Sequence, residues 1–240
     1  MGVLSGPRFP GIENGLVFAI DPLNQESWLG PDSAVVNNIP PLSSTISGSI
    51  YNDTSGSFGV SSSFAFDGTD DYIDCGTSIP PRFGTAGNGN TEAWTVSLWV
   101  NFDLSSNEYP IEFPYGDGAN KWQILTISSK LCFGHRYGTA LCTESGTTAL
   151  NSNQWNNIIV SFDGADKTNI TSWKLYINGV NISITTRGHW GQNSGSDILI
   201  GRSFSTLYYE GNIGPVLFYN RALTALEVSQ NYNQLKSRFT

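Results

Sequence analysis

The chain has 240 residues, of which 39% are hydrophobic and 13% charged, about half the usual charged share of roughly 25%. Its 12 basic and 20 acidic residues give a formal net charge of −8. With no Lys/Arg cluster to displace counterions, a nucleic-acid binder is excluded. No stretch approaches the ~20 apolar residues that cross a bilayer as a helix, and an acidic surface repels anionic lipid, so no membrane insertion is expected.

Residues 1–14 are rich in Gly and Pro and read as an extended N-terminal arm. Leu4, Phe9 and Ile12 are apolar but follow neither a helical nor a strand period, which suits anchors for attachment to a partner; the alternative is an arm that folds back onto its own domain. The opening residues lack the basic and apolar regions of a signal peptide. They raise the expectation of a protein made in a host cytoplasm and released by lysis, or of a chain whose leader is gone.

From residue 15 the pattern is that of strands. Gly15 to Asp21 alternates Leu16, Phe18 and Ile20. A long polar loop with Trp28, Pro31, Pro40 and Pro41 leads to Ser62–Asp67 and Tyr72–Cys75, two runs joined by a turn at Gly68-Thr69-Asp70. Ala93 to Phe102 is the strongest strand signal: Trp94, Val96, Leu98, Val100 and Phe102 share one face, and Thr95, Ser97, Trp99 and Asn101 the other. Such alternation predicts a half-buried antiparallel strand. Further strands are predicted at 122–128, 131–134, 139–143, 155–162, 173–177, 180–185, 198–201 and 213–219. Asn178-Gly179 between two β-rich runs marks a tight hairpin. At the C-terminus Thr224 and Glu227 form a capping box, and Val228, Tyr232 and Leu235 recur at helical spacing, predicting a helix over 225–236. The fold class is all-β: a two-sheet antiparallel jelly-roll sandwich over residues 15–240 with one short C-terminal helix.

Few residues suggest chemistry. The three cysteines are too few for a disulfide framework; Cys132 and Cys142 face each other across a predicted hairpin either as a bridge or as two buried thiols. A sandwich glycosidase needs two acids spaced for acid and nucleophile roles. Glu108 and Glu112 flank Pro110 in a loop-like stretch, and Asp70, Asp71 and Asp74 surround a turn, so no strand shows alternating acids and no enzyme is expected. Asp70 and Asp71 are candidate calcium ligands, since hard cations want clustered oxygens, or else turn aspartates bonding their own backbone. Aromatics beside Gly, His and Asn are the contact candidates: Tyr137, His189, Trp190, Tyr208 and Tyr209, with Trp99 from the face opposite the core. For each, glycan stacking, a protein interface and simple packing stand side by side.

The segments GLVFAID, FAFDGTDDYIDCG, WTVSLWV, QWNNIIVSFDG, KLYINGV, ILIGR and GNIGPVLFYNRALTALEVSQNYNQLKSRF, in this order, resemble the laminin-G-like, concanavalin A-like jelly-roll family. The ending NRALTALEVSQNYNQLKSRF is especially similar to such domains in structural proteins of tailed phages. The resemblance implies a non-enzymatic structural protein of the virion surface, in capsid decoration or a tail fibre. Its expected partners are other virion proteins, further copies of itself and host-surface glycans. A free carbohydrate-binding lectin module is the alternative, and a glycoside hydrolase the more remote one. The family usually carries acidic residues just after the isoleucine of the last core strand. Here Ile213 is followed by Gly214-Pro215, which removes oxygen ligands that a calcium ion would use there.

Overall fold

A computed structural model describes residues 11–23, 35–36, 43–47, 51–53, 63–75, 92–115, 120–137, 143–150, 152–166, 169–186, 198–203 and 207–239. In chain order the strands are β1 (Leu16–Ile20), β2 (Val35–Val36), β3 (Ser43–Ser47), β4 (Tyr51–Asp53), β5 (Ser63–Asp67), β6 (Tyr72–Asp74), β7 (Trp94–Phe102), β8 (Ile111–Tyr115) and β9 (Asn120–Ile127). They continue as β10 (Lys130–Tyr137), β11 (Thr143–Ala149), β12 (Trp155–Phe162), β13 (Trp173–Ile177), β14 (Val180–Ile182), β15 (Ile184–Thr186), β16 (Leu199–Ile200) and β17 (Glu210–Tyr219), and one helix follows, α1 (Ala225–Leu235).

All pairings between these strands are antiparallel, and they make two sheets. The first has the order β14-β13-β12-β7-β17-β5-β4, with β1 also on β17; the second runs β15-β11-β10-β9-β8-β16-β6-β3-β2. Strand β17 lies along β7 on one edge, while its other edge is shared by β5 at Glu210–Ile213 and β1 at Val216–Tyr219. The inward faces meet in one core that includes Phe18, Phe64, Trp94, Val96, Leu98, Phe113, Trp122, Phe133, Trp173 and Phe218. Trp94 is edge-on to both Trp122 and Trp173, with centroids 5.0 and 5.5 Å away, the geometry that aromatic quadrupoles favour. The Asn178-Gly179 hairpin forms as predicted, both residues taking positive φ (53° and 77°).

Strand β7 departs from the half-buried expectation, because both its faces are covered. The last segment of the chain lies on the outer face of the first sheet. Helix α1 is started by the predicted capping box: Thr224 Oγ1 accepts from the Glu227 N–H (3.3 Å), and the Thr224 N–H donates back to Glu227 Oε2 (2.9 Å). Val228 packs on Ala19, Ile159, Leu217 and Tyr219, and Leu235 and Phe239 pack on Trp99. The helix ends at Leu235, and a 3-10 turn over Lys236–Arg238 delivers Arg238 to a buried bidentate pair with Asp21 (2.7 and 2.8 Å). Thr95 joins the same layer: its Oγ1 accepts from the Leu223 N–H (3.0 Å) and donates to the Arg221 carbonyl (2.9 Å).

The Gly-Pro pair at 214–215 has a packing reason. Ile213 faces Val100 and Val216 faces Leu98, so Gly214 and Pro215 together oppose Trp99 in a β-bulge. Pro at a bulge forfeits no ladder bond. A Cβ on Gly214 would lie 2.8 Å from Phe239 Cζ, so the bare glycine leaves room for Phe239 to stack on Trp99, centroids 4.6 Å apart.

The structure corrects the sequence reading in two places: Glu112 belongs to strand β8 rather than to a loop, and the stretch read as a long polar loop contains β2, β3 and β4. The strand predicted at 139–143 meets β11 at Thr143, and 139–142 lie outside the described residues. The arm is described only from Gly11. There Ile12, read as an outward anchor, is half-buried beside Leu16, Leu223 and Val228, and its N–H donates to Asn231 Oδ1 (2.8 Å). Leu4 and Phe9 lie outside the described residues.

Candidate functional site

The site is built where strands β6 and β16 meet the start of β17. Ile73 and Ile200 point into the core, so their neighbours Tyr72 and Asp74 face outward from the second sheet. After β16 the chain leaves the sheet at Gly201, whose φ is +84° and whose missing Cβ would lie 2.2 Å from the Phe66 ring. Only glycine satisfies both conditions. The chain then turns back, with Arg202 bridged to Tyr208 and Ser203 N–H bonded to the Leu207 carbonyl (2.8 Å).

This turn is anchored from below. Tyr209 is fully buried against Phe66 and Phe102, and its hydroxyl donates to the Asn101 carbonyl (2.7 Å). Burial raises the Tyr209 phenol well above its ordinary value, with the nearby Glu108 carboxylate adding to the effect. Buried Glu108 accepts from the Glu210 N–H (3.1 Å) and from the Ser106 hydroxyl (2.8 Å). Burial also raises the Glu108 carboxyl, those two hydrogen bonds opposing the shift.

What the turn presents is a half-exposed cluster. The Tyr72 and Tyr208 rings lie 6.5 Å apart, and the Arg202 guanidinium sits 4.0 Å over the centre of the Tyr72 ring. Arg202 Nε is enclosed with no hydrogen-bond partner. Leu207, whose carbonyl accepts from Ser203, is 46% exposed. Immediately before Tyr72 stands a carboxylate turn in which the ligand atoms of Asp67, Asp70 and Asp71 all lie within 4.8 Å of one another. Asp71 Oδ2 accepts from the Asp67 N–H (3.0 Å) and Asp67 Oδ1 from the Thr69 N–H (2.8 Å), the bonding of aspartates that cap their own turn. Three carboxylates provide part of the six to eight oxygens that calcium takes, and these bonds engage two of their oxygens.

Of the six aromatic contact candidates, Tyr208 falls in this cluster. Trp99 and Tyr209 do not meet the surface and are corrected: Trp99 is 1% exposed, stacked between Tyr232 and Phe239, and Tyr209 is core. Tyr137 ends strand β10, and its side chain lies outside the described atoms, as do His189 and Trp190 entirely. Tyr72 and Arg202 went unrecognised in the sequence. Alternation around Ile73 was the available signal for Tyr72. Nothing local announced Arg202, whose position follows from the left-handed turn at Gly201. As for the cysteines, Cys132 is buried and its register partner is Glu144, while Cys142 lies outside the described residues.

A second polar group lies on the same outer face. Asp74, Leu199, Glu112 and Gln123 form one row across β6, β16, β8 and β9. Two strand spacings separate Asp74 from Glu112, about 9.5 Å. Glu112 is 0% exposed and paired with Lys121 at 2.9 Å, and the Lys121 ammonium also donates to buried Ser203 (3.2 Å).

The fold has relatives. A sialidase of Trypanosoma rangeli in complex with sialic acid superposes with a TM-score of 0.59 at 14% identity, covering 91% of this chain and 32% of that one. A mutant of that sialidase displaying trans-sialidase activity gives 0.63 at 15%, over 94% and 34%. This chain therefore spans about a third of the sialidases it resembles. Domain 4 of AbnA, a GH43 extracellular arabinanase from Geobacillus stearothermophilus, in complex with arabinotriose, gives 0.59 at 18%, covering 92% of this chain and 100% of that one. At such identities the likeness is one of fold. No curated protein sequence matches the chain. A laminin-G-type family model does, over residues 67–229, more than half the chain, and the chain thus belongs to the concanavalin A-like lectin/glucanases superfamily.

Proposed function

We propose that this chain is a non-catalytic carbohydrate-binding domain whose contact surface is Tyr72, Arg202 and Tyr208. The observation that carries the reading is the half-buried tyrosine pair with the Arg202 guanidinium 4.0 Å over the Tyr72 ring. Sugar rings offer C–H faces to aromatic planes and hydroxyl oxygens to N–H donors, and this cluster holds both complements. The arginine is fixed in place by a cation–π contact of about 0.5–2 kcal/mol. The similar arabinanase domain, solved with arabinotriose, supports the class of ligand.

Hydrolysis is disfavoured by the state of the acids. A glycosidase needs two carboxyl groups that both reach the scissile bond. Glu112 is sealed from solvent by burial and tied to Lys121, and Glu108 is buried beneath the turn. The resemblance of the chain's ending to tailed-phage structural proteins extends the proposal to a module displayed in several copies on a virion, where repetition raises avidity. That extension rests on the resemblance alone.

A glycan array probed with the purified chain tests the reading. Retention of defined glycans that Tyr208→Ala abolishes is expected, with no reducing ends released from the retained glycans. Reducing ends released by wild type and lost in Glu112→Gln would instead make the protein a hydrolase.

A further inference from the structure

Resting on that reading, we infer that Glu108 is a positioning residue of the contact surface: without touching the ligand, it holds in place the chain that carries Tyr208. The segment around Glu108 grips both ends of the turn. At its start the Pro110 carbonyl accepts from the Gly201 N–H (3.0 Å), one residue before Arg202. At its end Glu108 Oε2 accepts from the Glu210 N–H (3.1 Å), two residues after Tyr208. The Gly201 carbonyl accepts from the Tyr209 N–H (2.9 Å), so the two ends are also tied to each other. The gripping segment is itself fixed to β9. The Glu108 N–H donates to Thr126 Oγ1 (3.0 Å), and the Thr126 N–H donates to the Glu108 carbonyl (2.9 Å).

Of these ties between the segment and the turn, the one to Glu210 is made by a side chain. Glu108 is 1% exposed, and its other carboxylate oxygen accepts from the Ser106 hydroxyl (2.8 Å). Burying a carboxylate costs free energy that hydrogen bonds offset only in part. Burial accordingly raises the Glu108 carboxyl, and the Glu210 and Asp103 carboxylates add to the rise. An apolar side chain of similar size would fill the space without that cost, but it would take this acceptor away from the Glu210 N–H. A turn held at both ends leaves less ordering for the ligand to supply, and that difference appears as affinity.

The test uses the full chain and the glycan that the array retains best, titrated into wild type, Glu108→Ala, Glu108→Gln and Ser106→Ala. Amide hydrogen exchange over residues 207–210 is followed in each, and circular dichroism checks folding. Glu108→Ala is expected to bind at least about tenfold more weakly and to exchange faster at the Glu210 amide. Glu108→Gln keeps an oxygen acceptor at the same reach, so its affinity should stay within about threefold of wild type. Ser106 is exposed, and its removal takes away only the contact that orients Glu108, so a smaller loss in the same direction is expected. A folded Glu108→Ala with wild-type affinity, or a Glu108→Gln as weak as Glu108→Ala, overturns this inference and leaves the carbohydrate-binding reading standing. If Glu108→Ala does not fold, unchanged affinity and exchange in Ser106→Ala overturn it instead. Retention of no glycan by folded wild type overturns both.

Discussion

Thr95 shows how far one residue can differ from its pattern. Its alternation with Trp94 and Val96 reads as a solvent-facing polar position, yet it is buried, and its hydroxyl joins β7 to the segment before α1 through Leu223 and Arg221. Replacing it with Ala strands a buried N–H and a carbonyl, at a cost of about 1–3 kcal/mol. Leu98→Ala empties a core position and costs about 2–5 kcal/mol. Urea midpoints of the two variants check this, and a neutral Thr95→Ala would contradict the layer described on the outer face. Glu227 is the residue with the clearest pH signature. Its hydrogen bonds with the Arg221 guanidinium, and then with the Thr224 backbone, lower its carboxyl to about 2. A lowered carboxylate contributes stability that is present above its unfolded value, near 4.3, and is lost as pH falls toward 2. Melting temperatures should therefore fall between pH 5 and 2 more steeply in wild type than in Glu227→Gln. Identical slopes would remove the Arg221–Glu227 pair from the account.

At the scale of elements, α1 and the turn after it behave as a cover fastened at both ends. The capping box starts the helix, and Arg238 closes it onto Asp21 beside β1. Truncating one partner of a buried pair leaves the other charge uncompensated, so Arg238→Ala should cost about 3–5 kcal/mol. The double change Asp21→Asn/Arg238→Met should recover part of that loss, as read in denaturant titrations. The capping box and the Asn178-Gly179 hairpin were legible in the sequence because each is a local device whose residues bond one another. Strand β8 was not, because Pro110 and Pro114 mask a pairing that β9 and β16 impose from a distance. Trp99 was legible as lying opposite the core, but only the returning chain end reveals that this face is buried too. The same holds at the candidate site. Tyr208 carried a signal in its setting, while Arg202 reaches Tyr72 through a backbone turn that a one-dimensional pattern does not encode.

The molecule as a whole is a two-sheet sandwich with one face covered by its own C-terminal segment and a charged aromatic cluster on the outer side of the other sheet. Tyr72 lies on strand β6, and Tyr208 stands two residues before strand β17, so both proposed contact residues are joined directly to the sheets. The measurement that tests the proposed site most directly is a calorimetric titration of the best-retained glycan into wild type and into the Tyr72→Ala/Tyr208→Ala variant, with circular dichroism and thermal melts confirming that both are folded. The account predicts saturable binding by wild type and a loss of at least about tenfold in affinity, roughly 1.4 kcal/mol, in the variant. Unchanged affinity in a folded variant would place the glycan elsewhere on the molecule and contradict the site described.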